Sequence, residues 1–152
     1  MKKLLPLLIL IPIFAADPPG FVIWKASDLK AEEKKLAGKM SDKHVASETL
    51  QSFGNHYTML AHRDGDGEVE VHDKMADVFY VVSGEATLIL GGTVAGGHNT
   101  APGETRGTSI TGGEKKMIAA GDAVHISAKV PHQMMVASGK KITYFVVKVE
   151  EK

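Results

Sequence analysis

The chain has 152 residues, no cysteine, 18 acidic and 18 Lys/Arg side chains, 43% hydrophobic residues and 24% charged ones. This length suits one domain able to bury a core of its own. The composition excludes thiolate metal sites, thiol catalysis and disulfides, and speaks against disorder. The absence of a basic run or stripe speaks against nucleic acid as a partner.

Met1-Lys2-Lys3 is a short positive start, Leu4 to Phe14 is almost unbroken apolar sequence, and Ala15-Ala16 precede the polar Asp17-Pro18-Pro19-Gly20. That order predicts a secretory signal peptide over residues 1–16, cut near Ala15 or Ala16, and hence a periplasmic or secreted protein. The apolar run is too short to span a bilayer comfortably, and Pro6 and Pro12 oppose a membrane helix. No membrane association is expected after cleavage, and no cysteine follows to carry a lipid anchor.

Residues 17–54 read as an N-terminal extension. Phe21 to Trp24 suits a short edge strand, and Ser27-Asp28 offers an N-cap for a surface helix over Leu29 to Met40 that ends at Gly38. An edge strand of this kind could pair across a homodimer. Residues 55–150 read as the barrel, although β-rich texture begins near residue 43. The expected strands are 44–53, 57–62, 68–72, 78–82, 86–90, 117–119, 123–126, 133–136 and 141–149. Turn signals separate them, among them Gly54-Asn55, Asp64-Gly65-Asp66-Gly67, Ser83-Gly84 and Gly121-Asp122. Many short strands at this spacing predict an all-β sandwich or barrel. Gly91 to Gly113 is expected to be a long excursion holding one strand at Ser109-Ile110-Thr111.

The stretch from Gly67 to Gly84 carries the chemistry. Side chains alternate along a strand, so Glu70 and His72 share one face while Val69 and Val71 share the other. On the next strand Asp77 shares a face with Phe79 and Val81, which sends a carboxylate inward. A buried carboxylate needs a partner, and a metal held by His72, Glu70 and Asp77 would supply one. On the strand after Pro131, His132 shares its face with Met134 and Val136.

These two stretches resemble the cupin superfamily. Its first motif, His-x-His, three or four residues, Glu, six residues, Gly, is matched by Glu70-x-His72, four residues, Asp77, six residues, Gly84. In the second motif Gly121 opens, Ser127-Ala128-Lys129 replaces Pro-x-Gly, His132 holds the histidine place and Val136 stands where an asparagine is usual. The resemblance covers about residues 55 to 149. It implies a small single-domain jelly-roll β-barrel of the cupin-2 or RmlC type. It also implies one divalent transition metal (Fe, Mn, Zn, Ni or Co) on His72, His132, Glu70 and Asp77. Two carboxylates beside two imidazoles tilt the preference towards Mn or Fe. Asp77, one methylene shorter than Glu, reaches the metal or acts on a ligand imidazole.

Glu70 and Asp77 are also the candidate catalytic groups, as a base. Tyr57, Met59, Phe79, Met134 and Phe145 are candidates for a cavity wall, with plain core the commoner outcome for such stripes. His56 and His62 share a face and read as exterior. His125 reads as exposed, and His44 and His98 have no evident partner. Glu104 and Arg106 fall in the glycine-rich excursion as a local ion pair or lid. Two classes of function stay open. One is a metal-dependent enzyme acting on a small organic molecule by oxygenase, isomerase or lyase chemistry. The other is a non-catalytic small-molecule or sugar-binding or sensing cupin, its metal site intact or degenerate.

Overall fold

The computed structural model describes residues 17–151, so the expected signal peptide lies outside the described residues. Phe21 to Trp24 forms no strand. It is held by its side chain, the Trp24 ring lying 5.1 Å from that of Phe145. Helix α1 spans Ala26–Ala37, two to three residues ahead of expectation, with Lys25 at the N-cap and no side-chain cap. Ser27 and Asp28 fall in its first turn, where the carboxylate of Asp28 suits the positive end of the helix. Its buried Leu36 packs with Leu60 and Ala46. Glu33 accepts hydrogen bonds from Ser83 and from Thr143 (2.9 Å), and Thr143 in turn bonds His62 Nδ1 at 2.8 Å. This polar seam pins the helix to the outside of the barrel and accounts for His62.

The strands are β1 (Val45–Ser52), β2 (His56–Arg63), β3 (Val69–His72), β4 (Met75–Leu90), β5 (Thr93–Ala95), β6 (His98–Ala101), β7 (Glu104–Gly107), β8 (Ser109–Thr111), β9 (Glu114–Ala119), β10 (Ala123–Ile126), β11 (His132–Met135) and β12 (Ile142–Glu150). All pairings are antiparallel. One sheet runs β1-β2-β12-β4-β10, and β1 thus joins the barrel from within residues 17–54. The other runs β9-β4-β11-β3-β7-β6, while β5 and β8 form a separate ribbon. The architecture is the expected jelly-roll barrel.

Strand β4 belongs to both sheets. The sequence suggests a turn at Ser83-Gly84, yet the chain continues as one bent strand because pairing with β12 persists through Gly84, opposite Ile142. Gly84 has φ +77°, and a Cβ there would stand 1.9 Å from the Lys141 carbonyl oxygen, so only glycine fits the bend. Between the sheets lie Phe79, Val81, Leu88, Met134, Val146 and their neighbours. These are the inward positions of alternating strands. The Gly91–Gly113 excursion is ordered into four short strands. Besides the expected β8, it supplies β7, which lies directly beside β3.

The turn before β11 is made without glycine. Lys129 adopts φ 66°, and its N–H donates to the His72 carbonyl oxygen at 2.7 Å, tying the second motif to the first. A left-handed backbone costs a non-glycine residue about 1–2 kcal/mol, partly offset by the larger entropy glycine loses on folding. Lys129→Gly is therefore expected to stabilise the protein by roughly 0.5–1 kcal/mol. Urea unfolding checks this, and a destabilised variant would show that the lysine side chain, not the turn, matters there.

Candidate functional site

Register sets the site. On the second sheet Glu70 lies directly between His132 on β11 and Arg106 on β7, and His72 lies opposite Glu104. On the first sheet Lys148 of β12 lies between Tyr57 on β2 and Asp77 on β4. Directly opposed residues of adjacent strands point the same way. Both rows therefore aim into the barrel and meet there.

The two imidazoles are oriented by their outer nitrogens. His72 Nδ1 is hydrogen-bonded to Glu104 (2.8 Å to Oε2), and His132 Nδ1 to the Val130 carbonyl oxygen at 3.0 Å. With a proton on each Nδ1, the Nε2 lone pairs face inward. Asp77 Oδ2 stands 3.6 Å from His72 Nε2 and 3.5 Å from His132 Nε2, and Glu70 Oε2 stands 3.6 Å from His72 Nε2. Glu70, His72 and His132 each present a ligand atom within 4.8 Å of the others. Small side-chain adjustments would bring these onto one ion with bonds of about 2.0–2.2 Å.

Three basic groups complete the cluster. Arg63 Nη2 donates to Glu70 Oε1 at 3.0 Å, while its Nε donates to the Tyr144 hydroxyl at 3.0 Å. Arg106 contacts Glu104 (3.1 Å) and Glu70 (3.5 Å). Lys148 Nζ lies 2.6 Å from both Asp77 Oδ1 and His72 Nε2. The inner cluster thus sets Glu70, Asp77 and Glu104 against Arg63, Arg106 and Lys148, three charges of each sign. Asp77 Oδ1, despite that neighbour, is the buried side-chain oxygen or nitrogen that makes no well-aligned hydrogen bond among the described residues.

Burial alone would raise the carboxyl pKa values. For Asp77 the imidazoles of His132 and His72 beside it and the Lys148 ammonium outweigh it and hold the group well below the usual carboxylate range. For Glu70 the charge of Arg63 does most of this, helped by His132 and Arg106. Burial likewise opposes charge on His72, but Asp77 and the other nearby carboxylates outweigh that and raise its pKa, with Lys148 pulling the other way. An ammonium can approach Nε2 to 2.6 Å only where that nitrogen offers a lone pair, so we take His72 as neutral in this arrangement. Burial first, then Asp77, Glu104 and Glu70, push the Tyr57 phenol up, which keeps it a hydrogen-bond donor.

A cavity of about 490 Å³ opens beside the cluster, walled by Tyr57, Met59, Phe79, Leu88, Met134 and Val146. Of the five residues read as possible lining, Phe145 instead packs outside under Trp24. His56 stacks on Phe53 at 4.5 Å, and His44 reaches the cavity rim, bonded to Asp64 at 2.9 Å. His125 is exposed as read. Glu104 and Arg106 do form an ion pair, but on β7 inside the site. Sequence reasoning misses Arg63 and Lys148. Each carries a parity signal, since Arg63 alternates with Tyr57, Met59 and Ala61, and Lys148 with Tyr144 and Val146.

No family model and no curated protein matches the chain. Solved structures do. The protein TT1209 of Thermus thermophilus is 20% identical, with a TM-score of 0.55 over 78% of this chain and 94% of that one. The polyketide cyclase RemF from Streptomyces resistomycificus is 15% identical, with 0.51 over 72% and 69%. A Klebsiella pneumoniae protein with a double-stranded β-helix domain is 16% identical, with 0.51 over 72% and 79%. At these identities the likeness concerns the fold alone, a double-stranded β-helix, which agrees with the jelly-roll barrel expected from the sequence.

Removing one partner of a buried ion pair strands the other. In chelator-treated protein, Asp77→Asn should cost about 3 kcal/mol in urea, and adding Lys148→Met should recover more than half of it. The acidic groups are held below their ordinary values of 3.8 and 4.5, so their contribution is present above that range and is lost as pH falls through it. The acid side of the stability curve should accordingly be shallower for Asp77→Asn. An additive double mutant would show that the pair is not coupled.

Proposed function

We propose that the protein binds one divalent transition metal through His72, His132 and Glu70, with Asp77 as a fourth oxygen donor. On this reading the loaded site acts on a small, oxygen-rich organic anion outside the cytoplasm. The observation that carries it is the orientation of both imidazoles. Glu104 and the Val130 carbonyl occupy the Nδ1 atoms, so the two Nε2 atoms converge beside Glu70 and Asp77. Outer partners of this kind are what ligand histidines usually have. When bound, the metal would act as a Lewis acid towards a carbonyl or carboxylate oxygen.

The chain's own groups suggest how a substrate would be held. The apolar wall of Met59, Phe79, Leu88, Met134 and Val146 excludes water from one side of the cavity. Tyr57 offers its phenol as a donor. Glu70 and Asp77, the carboxylates that could serve as a base, are both held ionised and both engaged as donors on this reading, so a proton would pass to one of them only where it leaves the metal. The inner cluster is already balanced, so a dication leaves it two positive charges in excess. An anionic ligand offsets that surplus and a neutral sugar does not. Among proteins of like fold, RemF is a polyketide cyclase, which supports small-molecule chemistry as a class without naming this reaction.

Metal analysis of untagged protein dialysed against Mn(II), Fe(II) or Zn(II) should find about one equivalent, and the combined His72→Ala and His132→Ala variant should lose it. Full stoichiometry in that variant would refute the site. Thermal-shift screening of the loaded protein should favour dicarboxylates and hydroxy acids over neutral sugars by several degrees. Turnover of such a ligand supports the enzyme, and tight binding without turnover supports a sensing or carrying role.

A further inference from the structure

We propose that the Lys148 ammonium occupies the place of the metal at His72 and Asp77, so that metal entry requires Lys148 to swing out into the cavity. The inference builds on the metal-site reading above.

His72 uses Nδ1 to bond Glu104, which leaves one lone pair, on Nε2. Lys148 Nζ lies 2.6 Å from that atom. A metal bonded to the same nitrogen at about 2.0–2.1 Å would need that lone pair and would overlap the ammonium. The two cations are mutually exclusive at Nε2. Asp77 repeats the conflict, since the same ammonium lies 2.6 Å from its Oδ1. Like charges so close together add repulsion to the steric exclusion.

The fold explains why the lysine is there and how it can leave. Lys148 sits inward on β12 with Asp77 directly opposite, so its charge has a fixed counter-charge in the absence of any metal. The three-against-three balance of the inner cluster is complete only with Lys148 included. Its four-carbon stem is flexible, its head is a compact charge, and it lines the cavity of about 490 Å³ into which the head can turn. Neither arginine has this freedom, because each already bridges two fixed groups. Lys148 therefore stabilises the metal-free barrel and lowers the affinity for metal by the same contacts.

Calorimetric titration of Mn(II) and Zn(II) into chelator-treated wild type and Lys148→Met tests this. The variant should bind at least about tenfold more tightly, the weight of the contacts the ion no longer has to break. Its metal-free form should melt lower than wild type, and saturating metal should raise its Tm by more degrees. Should Lys148→Met not fold, Lys148→Gln, of similar length and uncharged, carries the same expectations. One equivalent bound by wild type, with equal or weaker binding by the lysine variants, overturns the inference and leaves the metal site intact. No binding by wild type or any lysine variant overturns both. Binding by the variants alone supports it.

Discussion

The interior of this barrel is arranged around one buried carboxylate. Asp77 is 6% exposed, sits among core strands and remains ionised. An isolated charge in that position would cost more than a small domain can bear. Lys148 from the first sheet answers that cost, and the imidazoles of His72 and His132 from the second sheet stand against the other oxygen of Asp77. Because those partners come from both sheets, the carboxylate also couples the sheets to each other. Much of what is unusual here, including a lysine in an apolar strand and a glutamate behind a histidine, follows from keeping that charge partnered.

Backbone geometry makes the convergence possible. Strand β4 crosses from one sheet to the other, and the bend at Gly84 lets Asp77 at its start and Leu88 near its end both face the interior. Strand β3 then receives β11 on one edge and β7 on the other, which lines up His132, Glu70 and Arg106 in a single row. A one-residue slip of β7 would turn Glu104 and Arg106 outward and strip His72 of its Nδ1 partner. The glycine-rich excursion is for this reason part of the site, although it looks like a connection.

What the sequence made legible, and what it hid, divides along the same line. Alternation showed that Glu70 pairs in direction with His72 and that Asp77 turns inward, because those facts depend on a strand's own period of two. His132 was singled out differently, by the resemblance of two short motifs to the cupin pattern. Arg63 and Lys148 obey the same parity but escape notice, since a charge at the end of an apolar strand reads as the point where the strand meets water. Glu104 was out of reach for another reason. Its role depends on β7 pairing with β3 across 32 residues, and no local pattern encodes that register. The turn at Lys129 and the unbroken β4 reflect tertiary pairing overriding local preference, with a left-handed lysine and a glycine bend held in place by hydrogen bonds from elsewhere.

Two carboxylates depart from the motif that the sequence resembles, and each has a cationic neighbour. Glu70 in a histidine's place adds a negative charge to the interior, and Arg63 and Arg106 meet it directly. Asp77 in a glutamate's place is shorter, and Lys148 reaches to it. Apolar replacements of similar volume are often as stable or more so, whereas each retained charge demands a partner. Here three acidic and three basic side chains stand together, each within 3.5 Å of an opposite charge. Under the exchange proposed above, Lys148 would hold the charge of Asp77 until a metal takes its place.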